Sequence, residues 1–264
     1  MRISDHVYMV GSDQFALSYP LDCNCFLIDG GTALGLVDTG LGMGVDDIMA
    51  NIISDGFDPE LLTHILITHS HLGHWGGADA LRQHTGAQVW VHTLGASLME
   101  SVDGDPAIEL NFKYGRYPSE FKPRACPNVS TFADGERIQI GDIEVEAILV
   151  QGHTKDATCF SFSDNGKRAL CTGDTVFYAG KLGLLNLDGF SMADYRRDIH
   201  KLANLEVDVL LPGHGVFVLR GGQKHIKRAI HKLSDFVMPE TFFEVNEFTW
   251  ESDYLEIMTD QGSE

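Results

Sequence analysis

Thr68-His69-Ser70-His71-Leu72-Gly73-His74 sets three histidines within six residues, directly after the apolar run His64–Thr68 and before the helix-like stretch Ala78–His84. A strand end holds side chains rigidly, and the turn after it lets them converge on one point. Neutral imidazole is the commonest nitrogen ligand for zinc and also suits iron, so the stretch reads as a metal-binding loop. The competing reading is a polar, solvated turn. Three further loops repeat the pattern. Gln151-Gly152-His153-Thr154 follows Ala147–Val150, Thr172-Gly173-Asp174-Thr175 follows Ala169–Cys171, and Pro212-Gly213-His214-Gly215 follows Val207–Leu211. In α/β sheets, ligands gather where strand ends open onto loops. Five histidines and one aspartate at equivalent positions favour the metal reading.

Outward from these loops, the chain alternates strand and helix signals. The predicted strands of the first half are His6–Val10, Cys25–Ile28, Leu34–Val37, His64–Thr68 and Gln88–His92. Val45–Ser54 has helical spacing, with Val45, Ile48, Met49, Ile52 and Ile53 read on one face. The second half predicts strands at Ile138–Ile140, Ile143–Leu149, Cys159–Ser163, Arg168–Cys171 and Val207–Leu211, and helices at Asp194–Leu202 and Gln223–Phe236. This order points to an α/β sandwich rather than a bundle. Gly95–Asn128, with four prolines and several aromatics, reads as an insertion or lid near the pocket. The domain itself is read as residues 1–238, followed by an acidic, aromatic-containing extension over 239–264. Disordered tails carry few aromatics, so part of that extension is expected to pack, with a homodimer contact as one outcome.

Composition narrows the function. The chain has 264 residues, 44% of them hydrophobic and 22% charged, as in a soluble globular protein of one or two domains. Thirty-eight acids against nineteen Lys and Arg give a net charge of −19, which argues against a nucleic-acid partner. Eight of those acids, and no base, lie between Glu240 and Glu264. No apolar run of membrane-spanning length occurs, and Met1–His6 lacks the apolar stretch of a signal peptide. Five scattered cysteines fit reduced thiols. The expectation is a cytoplasmic protein with a small-molecule substrate and no membrane partner.

The four loops, in this order, together with Val37-Asp38-Thr39-Gly40 after an early strand, resemble the metallo-β-lactamase superfamily over roughly His6 to Phe236. The resemblance implies a four-layer αββα sandwich with a metal site at one edge of the two sheets. It implies that His69, His71 and His153 bind a first metal, that His74 and His214 bind a second, and that Asp174 bridges both. Zinc is the expected ion, with iron or manganese as alternatives. One position departs from the family's pattern: its loop usually has an aspartate before the last histidine, and Gly73 stands there. The expectation is one firm metal site and a second, weakened one. Asp156 and Asp79 are the nearby carboxylates that could substitute.

The implied activity is metal-assisted hydrolysis of an ester, thioester, lactone or amide. The metal lowers the pKa of its bound water to near 7 and supplies hydroxide. Asp174 and His74 are the implied catalytic residues. Ser70, Thr154 and Thr175 are candidates for orienting the imidazoles. His92, Phe112, Tyr114, Tyr117, Phe121, Phe177, Tyr178 and Lys181 are weaker candidates for the pocket. Two alternatives stay open. One is a mononuclear non-heme iron oxidoreductase of persulfide-dioxygenase type, with the metal on His69, His153 and Asp174. The other is a non-catalytic relative that uses the fold for binding.

Overall fold

The computed structural model describes residues 1–243. Its strands alternate faces, and that alternation builds the layers. In β2 (Cys25–Asp29), Cys25 and Leu27 pack to one side and Phe26 and Ile28 to the other. Both sides are buried, which explains why the strand reads as an unbroken apolar run. The first sheet holds β1 (Val7–Gly11), β2, β3 (Leu34–Val37), β4 (Leu62–Leu66), β5 (Gln88–His92) and β6 (Ser130–Phe132), in that order. Its first two pairings are antiparallel and the remaining three parallel.

The second sheet runs in the order β11 (Val209–Pro212), β10 (Lys167–Gly173), β9 (Thr158–Asp164), β8 (Ile143–Leu149) and β7 (Arg137–Ile140). Only β10 and β11 pair in parallel there. Between the sheets lies a core to which both contribute, with Phe26, Leu66 and Phe132 meeting Val145, Phe160 and Leu211. Outside the first sheet pack α1 (Val45–Ser54), α2 (Leu72–Trp75) and α3 (Ala78–Thr85). Across the insertion, α4 (Ala96–Met99) and α5 (Pro106–Lys113) join that layer. The second sheet is covered by α6 (Met192–Asp198), the 3-10 turn Ile199–Leu202 and α7 (Gln223–Ser234). The result is the expected αββα sandwich.

The differences from the sequence reading are local. Ile53 is 58% exposed, because it lies about 100° around the helix from buried Ile52. Strand β4 ends at Leu66; the Ile67 amide still donates to the Trp90 carbonyl at 2.9 Å, and one residue on the Thr68 amide donates to the Asp38 carboxylate at 2.8 Å. Helix α7 ends at Ser234, and Phe236 lies outside it, 95% exposed. Neither the short helix α2 nor the edge strand β6 was predicted. Among the described residues no helix is long and apolar enough to cross a membrane, and all five cysteines are buried and free.

Candidate metal centre

Five loops leave the C-terminal ends of β3, β4, β8, β10 and β11 and meet at one edge of the sandwich. The sharpest convergence is among three histidines. His71 Nδ1 lies 3.1 Å from His69 Nε2 and 3.0 Å from His153 Nε2. Imidazole nitrogens about 2.0–2.1 Å from a tetrahedral zinc ion sit roughly 3.3 Å apart, so this spacing is close to that of a ligand set. On the other side, His74 Nε2 lies 3.5 Å from Asp174 Oδ1. Asp174 Oδ2 stands between the groups, 3.5 Å from His153 Nε2, 3.8 Å from His214 Nε2 and 4.0 Å from His69 Nε2. All six residues named from the sequence are thus gathered around one carboxylate.

Two buried atoms in this cluster, His74 Nε2 and Asp174 Oδ1, lack a hydrogen-bond partner. Buried polar atoms are seldom left unpaired, since each one costs free energy. A cation between them would satisfy both. The donor set is imidazole with one carboxylate, which suits zinc. The residues therefore fit a metal ion.

The imidazoles are oriented from behind. Asp38 Oδ2 accepts from His74 Nδ1 at 2.8 Å and from the Thr68 hydroxyl at 2.8 Å, and Thr68 Oγ1 lies 3.0 Å from His69 Nδ1. One carboxylate thus sets two rings, one directly and one through a hydroxyl. Asp38 holds a left-handed backbone, φ 60°, that costs a non-glycine residue energy and recurs where a side chain must be aimed. His153 Nδ1 donates to the Gly183 carbonyl at 2.7 Å. A Cβ on Gly183 would sit 2.7 Å from that same nitrogen, and one on Gly213 would sit 2.6 Å from Asp174 Oδ1. Glycine at both positions is what lets the loops close in.

Burial pushes His69 and His71 well below the usual imidazole range, with help from neighbouring imidazoles, and lowers His153. These rings are neutral at pH 7 and present lone pairs. Burial also opposes charge on His74, but the neighbouring Cys23 sulfur together with the Asp174 and Asp38 carboxylates outweighs it and holds this ring well above the usual range. Burial works to raise Asp174, yet the facing His74 and His214 keep its carboxyl well below the usual range. Burial pushes the nearby Cys23 thiol well up.

The weaker expectations divide. Ser70 bonds no imidazole; its hydroxyl donates to Asp156 Oδ1 at 3.0 Å. Thr154 Oγ1 has no partner, and the Thr175 carbonyl accepts from the Tyr195 hydroxyl. The groups that do orient the rings are Thr68, Asp38 and the Gly183 carbonyl. Asp156 is buried beside Ser70 and outside the close groups of candidate ligand atoms, and Asp79 pairs with Arg82 on α3. Neither supplies the carboxylate missing at Gly73. His92 Nδ1 accepts from the Leu94 amide, away from the site. Phe112, Tyr117 and Phe121 pack on one another, and of these Tyr117 reaches the cavity.

That cavity, about 580 Å³, opens over His71, His74, Asp174 and His214. Gly73 lines it, and a Cβ there would meet nothing within 4 Å. Unanticipated from sequence are the wall residues Leu185, Leu187, Asn111, Arg116 and Phe243. The acidic extension begins as part of this site. Phe242 N donates to the Leu182 carbonyl at 2.8 Å, and its ring stacks on Phe177 at 4.1 Å. The remainder of the extension, where a dimer contact was expected, lies outside the described residues. A wider groove of about 800 Å³ crosses the outer face of the second sheet between Arg137, Glu144, Lys167 and Arg168, and it includes none of the metal-site residues.

A four-layer sandwich with a multi-histidine site at its strand ends defines a metallohydrolase-type fold. The chain belongs to the metallo-beta-lactamase superfamily, whose family model matches residues 18–214. It is 25% identical over 210 residues to an atrochrysone carboxyl ACP thioesterase of Aspergillus fumigatus, covering 79% of this chain and 55% of that protein. It is 30% identical over 165 residues to a probable polyketide biosynthesis zinc-dependent hydrolase, BaeB, of Bacillus velezensis, covering 62% of this chain and 60% of the relative. The chain thus spans little more than half the length of these two relatives. Among solved structures, BJP-1, a subclass B3 metallo-beta-lactamase of Bradyrhizobium japonicum, superposes with a TM-score of 0.65 at 21% identity, over 99% of this chain and 94% of the other. That likeness speaks to the fold.

Proposed function

We propose that the protein is a metal-dependent hydrolase of small-molecule esters or thioesters, with zinc held by His69, His71 and His153 and shared through Asp174. The observation that carries this reading is the convergence of three nitrogens, His71 Nδ1 lying 3.1 Å from His69 Nε2 and 3.0 Å from His153 Nε2, beside the unpartnered buried atoms His74 Nε2 and Asp174 Oδ1. The thioesterase and zinc-hydrolase relatives support the reaction class. Bound zinc supplies Lewis acidity and brings the pKa of water near 7.

The chain's own residues do the rest. Asp174, kept ionised at the cavity floor, would give its carboxylate to the ion. His69 and His74 are held in fixed orientations by Thr68 and Asp38, and His153 by Gly183. A second ion on His74 and His214 lacks a carboxylate ligand from position 73, so the second site is the weaker one. The buried free thiols fit a reducing compartment, in keeping with a cytoplasmic enzyme.

The test is purification with metal analysis, followed by a panel of p-nitrophenyl esters, acyl-coenzyme A thioesters, lactones and amides. Turnover that stops on chelation and returns with zinc supports the reading. Bound iron with oxygen uptake on a thiol substrate overturns it.

A further inference from the structure

Taking the hydrolase reading as its basis, we propose that the start of the C-terminal extension sets substrate choice: Phe243 is a specificity-determining residue that selects an apolar acyl group. Three separate elements wall the cavity. Helix α5 and the turn after it bring Ile108 and Tyr117, the loop beyond Asp174 brings Leu185 and Leu187, and the extension brings Phe243. The polar floor lies between them, formed by the histidines and Asp174.

Phe243 is held in place over that floor. Its ring lies 6.2 Å from His153, nearly parallel at 30°, and edge-on to His214 at 6.0 Å. It also packs against Phe242 at 5.5 Å and Phe177 at 5.9 Å. Thr241 anchors the backbone beneath it, its hydroxyl accepting from the Leu184 amide at 3.2 Å and lying 2.9 Å from the Leu184 carbonyl. The ring therefore lies beside the His153 and His214 imidazoles on one side and lines the cavity on the other.

The charged groups along the cavity leave the apolar walls to the substrate. Asp105 caps α5, accepting from the amides of Ala107 and Ile108. Asp13 and Arg116 also line it, one acid and one base. That is too little positive charge to hold a polyanion, and mostly apolar walls with few polar groups are what a small apolar ligand needs. The acyl chain lies between Phe243, Leu187 and Ile108, with its carbonyl turned to the histidines.

The experiment uses the full chain loaded with zinc. Isothermal calorimetry compares acetate with octanoate, and kcat/KM is measured for p-nitrophenyl acetate through octanoate. Wild type should bind octanoate at least 10-fold more tightly than acetate, and its kcat/KM should rise with chain length through KM. In Phe243→Ala the octanoate-to-acetate ratio should fall below 3-fold, and Phe243→Leu should restore most of it. Thermal melts of both variants check folding, and Leu187→Ala offers a second route to the same loss of chain-length preference. Equal affinity of wild type for the two acids, or an unchanged ratio in Phe243→Ala, overturns the proposal. If neither these esters nor the corresponding acyl-coenzyme A thioesters are hydrolysed, the hydrolase reading fails, while the carboxylate binding ratio still decides the role of Phe243.

Discussion

On one side of Asp174, His69, His71 and His153 bring three nitrogens into contact; on the other, His74 and His214 face a glycine. Both sides are made by the same device, a turn at a strand end, and both share one carboxylate. They differ in net charge and in completeness. The trio needs nothing from position 73. The pair has its rings in place, 5.2 Å between centroids, and a Cβ on Gly73 would meet nothing within 4 Å. The lesson is that support and ligation are separable. Asp38 holds His74 through a 2.8 Å hydrogen bond although position 73 carries no side chain.

The sharpest way to break this comparison is to remove one imidazole from each side. His153→Ala should reduce bound zinc to near zero and kcat/KM by about three orders of magnitude, since losing the metal removes the source of hydroxide. His214→Ala should keep one zinc per chain and lose about 10- to 100-fold. Equal losses in zinc content would show that the two sides act as one site. The reverse experiment fills the gap. Gly73 lies in α2 with room for a side chain, so Gly73→Asp should fold normally and raise zinc from about one to about two per chain, read by plasma emission spectrometry. Unchanged stoichiometry would mean that the missing carboxylate is not what limits the second ion.

A substitution behind the metal tests the shared support. Asp38→Asn keeps the shape but weakens the hydrogen bonds to His74 and Thr68, and through Thr68 the hold on His69. Partners that orient metal ligands typically account for 10- to 100-fold in affinity or activity. A loss of that size in zinc affinity is expected, at both sides together rather than at the pair alone. Smaller still is the effect of Asp156→Asn. Asp156 touches Ser70 and none of the imidazoles, so zinc stoichiometry should not change, and competition with a chromophoric chelator checks it.

The histidine cluster was legible because each ligand sits next to the strand that carries it, and strands announce themselves by apolar runs. The sandwich was legible for the same reason, down to the bounds of β3, β8 and α1. What stayed hidden depends on partners far along the chain. Asp38 lies in a visible motif, but its role needs Thr68 and His74, 30 and 36 residues on. The aromatics after Pro239 signalled packing, while the surface that Phe242 packs on is made by loops near 177, 182 and 214. Helix α2 spans one turn and β6 three residues, too short for any period to show.

The smallest expected effect concerns metal-free protein and acid, and it too separates the two sides. Burial lowers His69, His71 and His153, so below the unfolded value of about 6.5 the unfolded chain takes up protons that the folded chain refuses. Stability then falls as pH drops. His74 works the other way. Raised by the Cys23 sulfur and its two facing carboxylates, it contributes stability that is fully present below about 6.5 and is lost as pH rises through its folded value. Burial lowers His214 as well, so the lowered rings outnumber the raised one and the Tm of chelator-treated protein should be lower at about pH 5.5 than at about pH 7.5. In metal-free His74→Asn the opposing ring is gone, and the same acid step should lower the Tm further. A variant with a shallower acid response than wild type would mean that His74 is neutral in the folded chain, and that the carboxylates facing it do not dominate its burial.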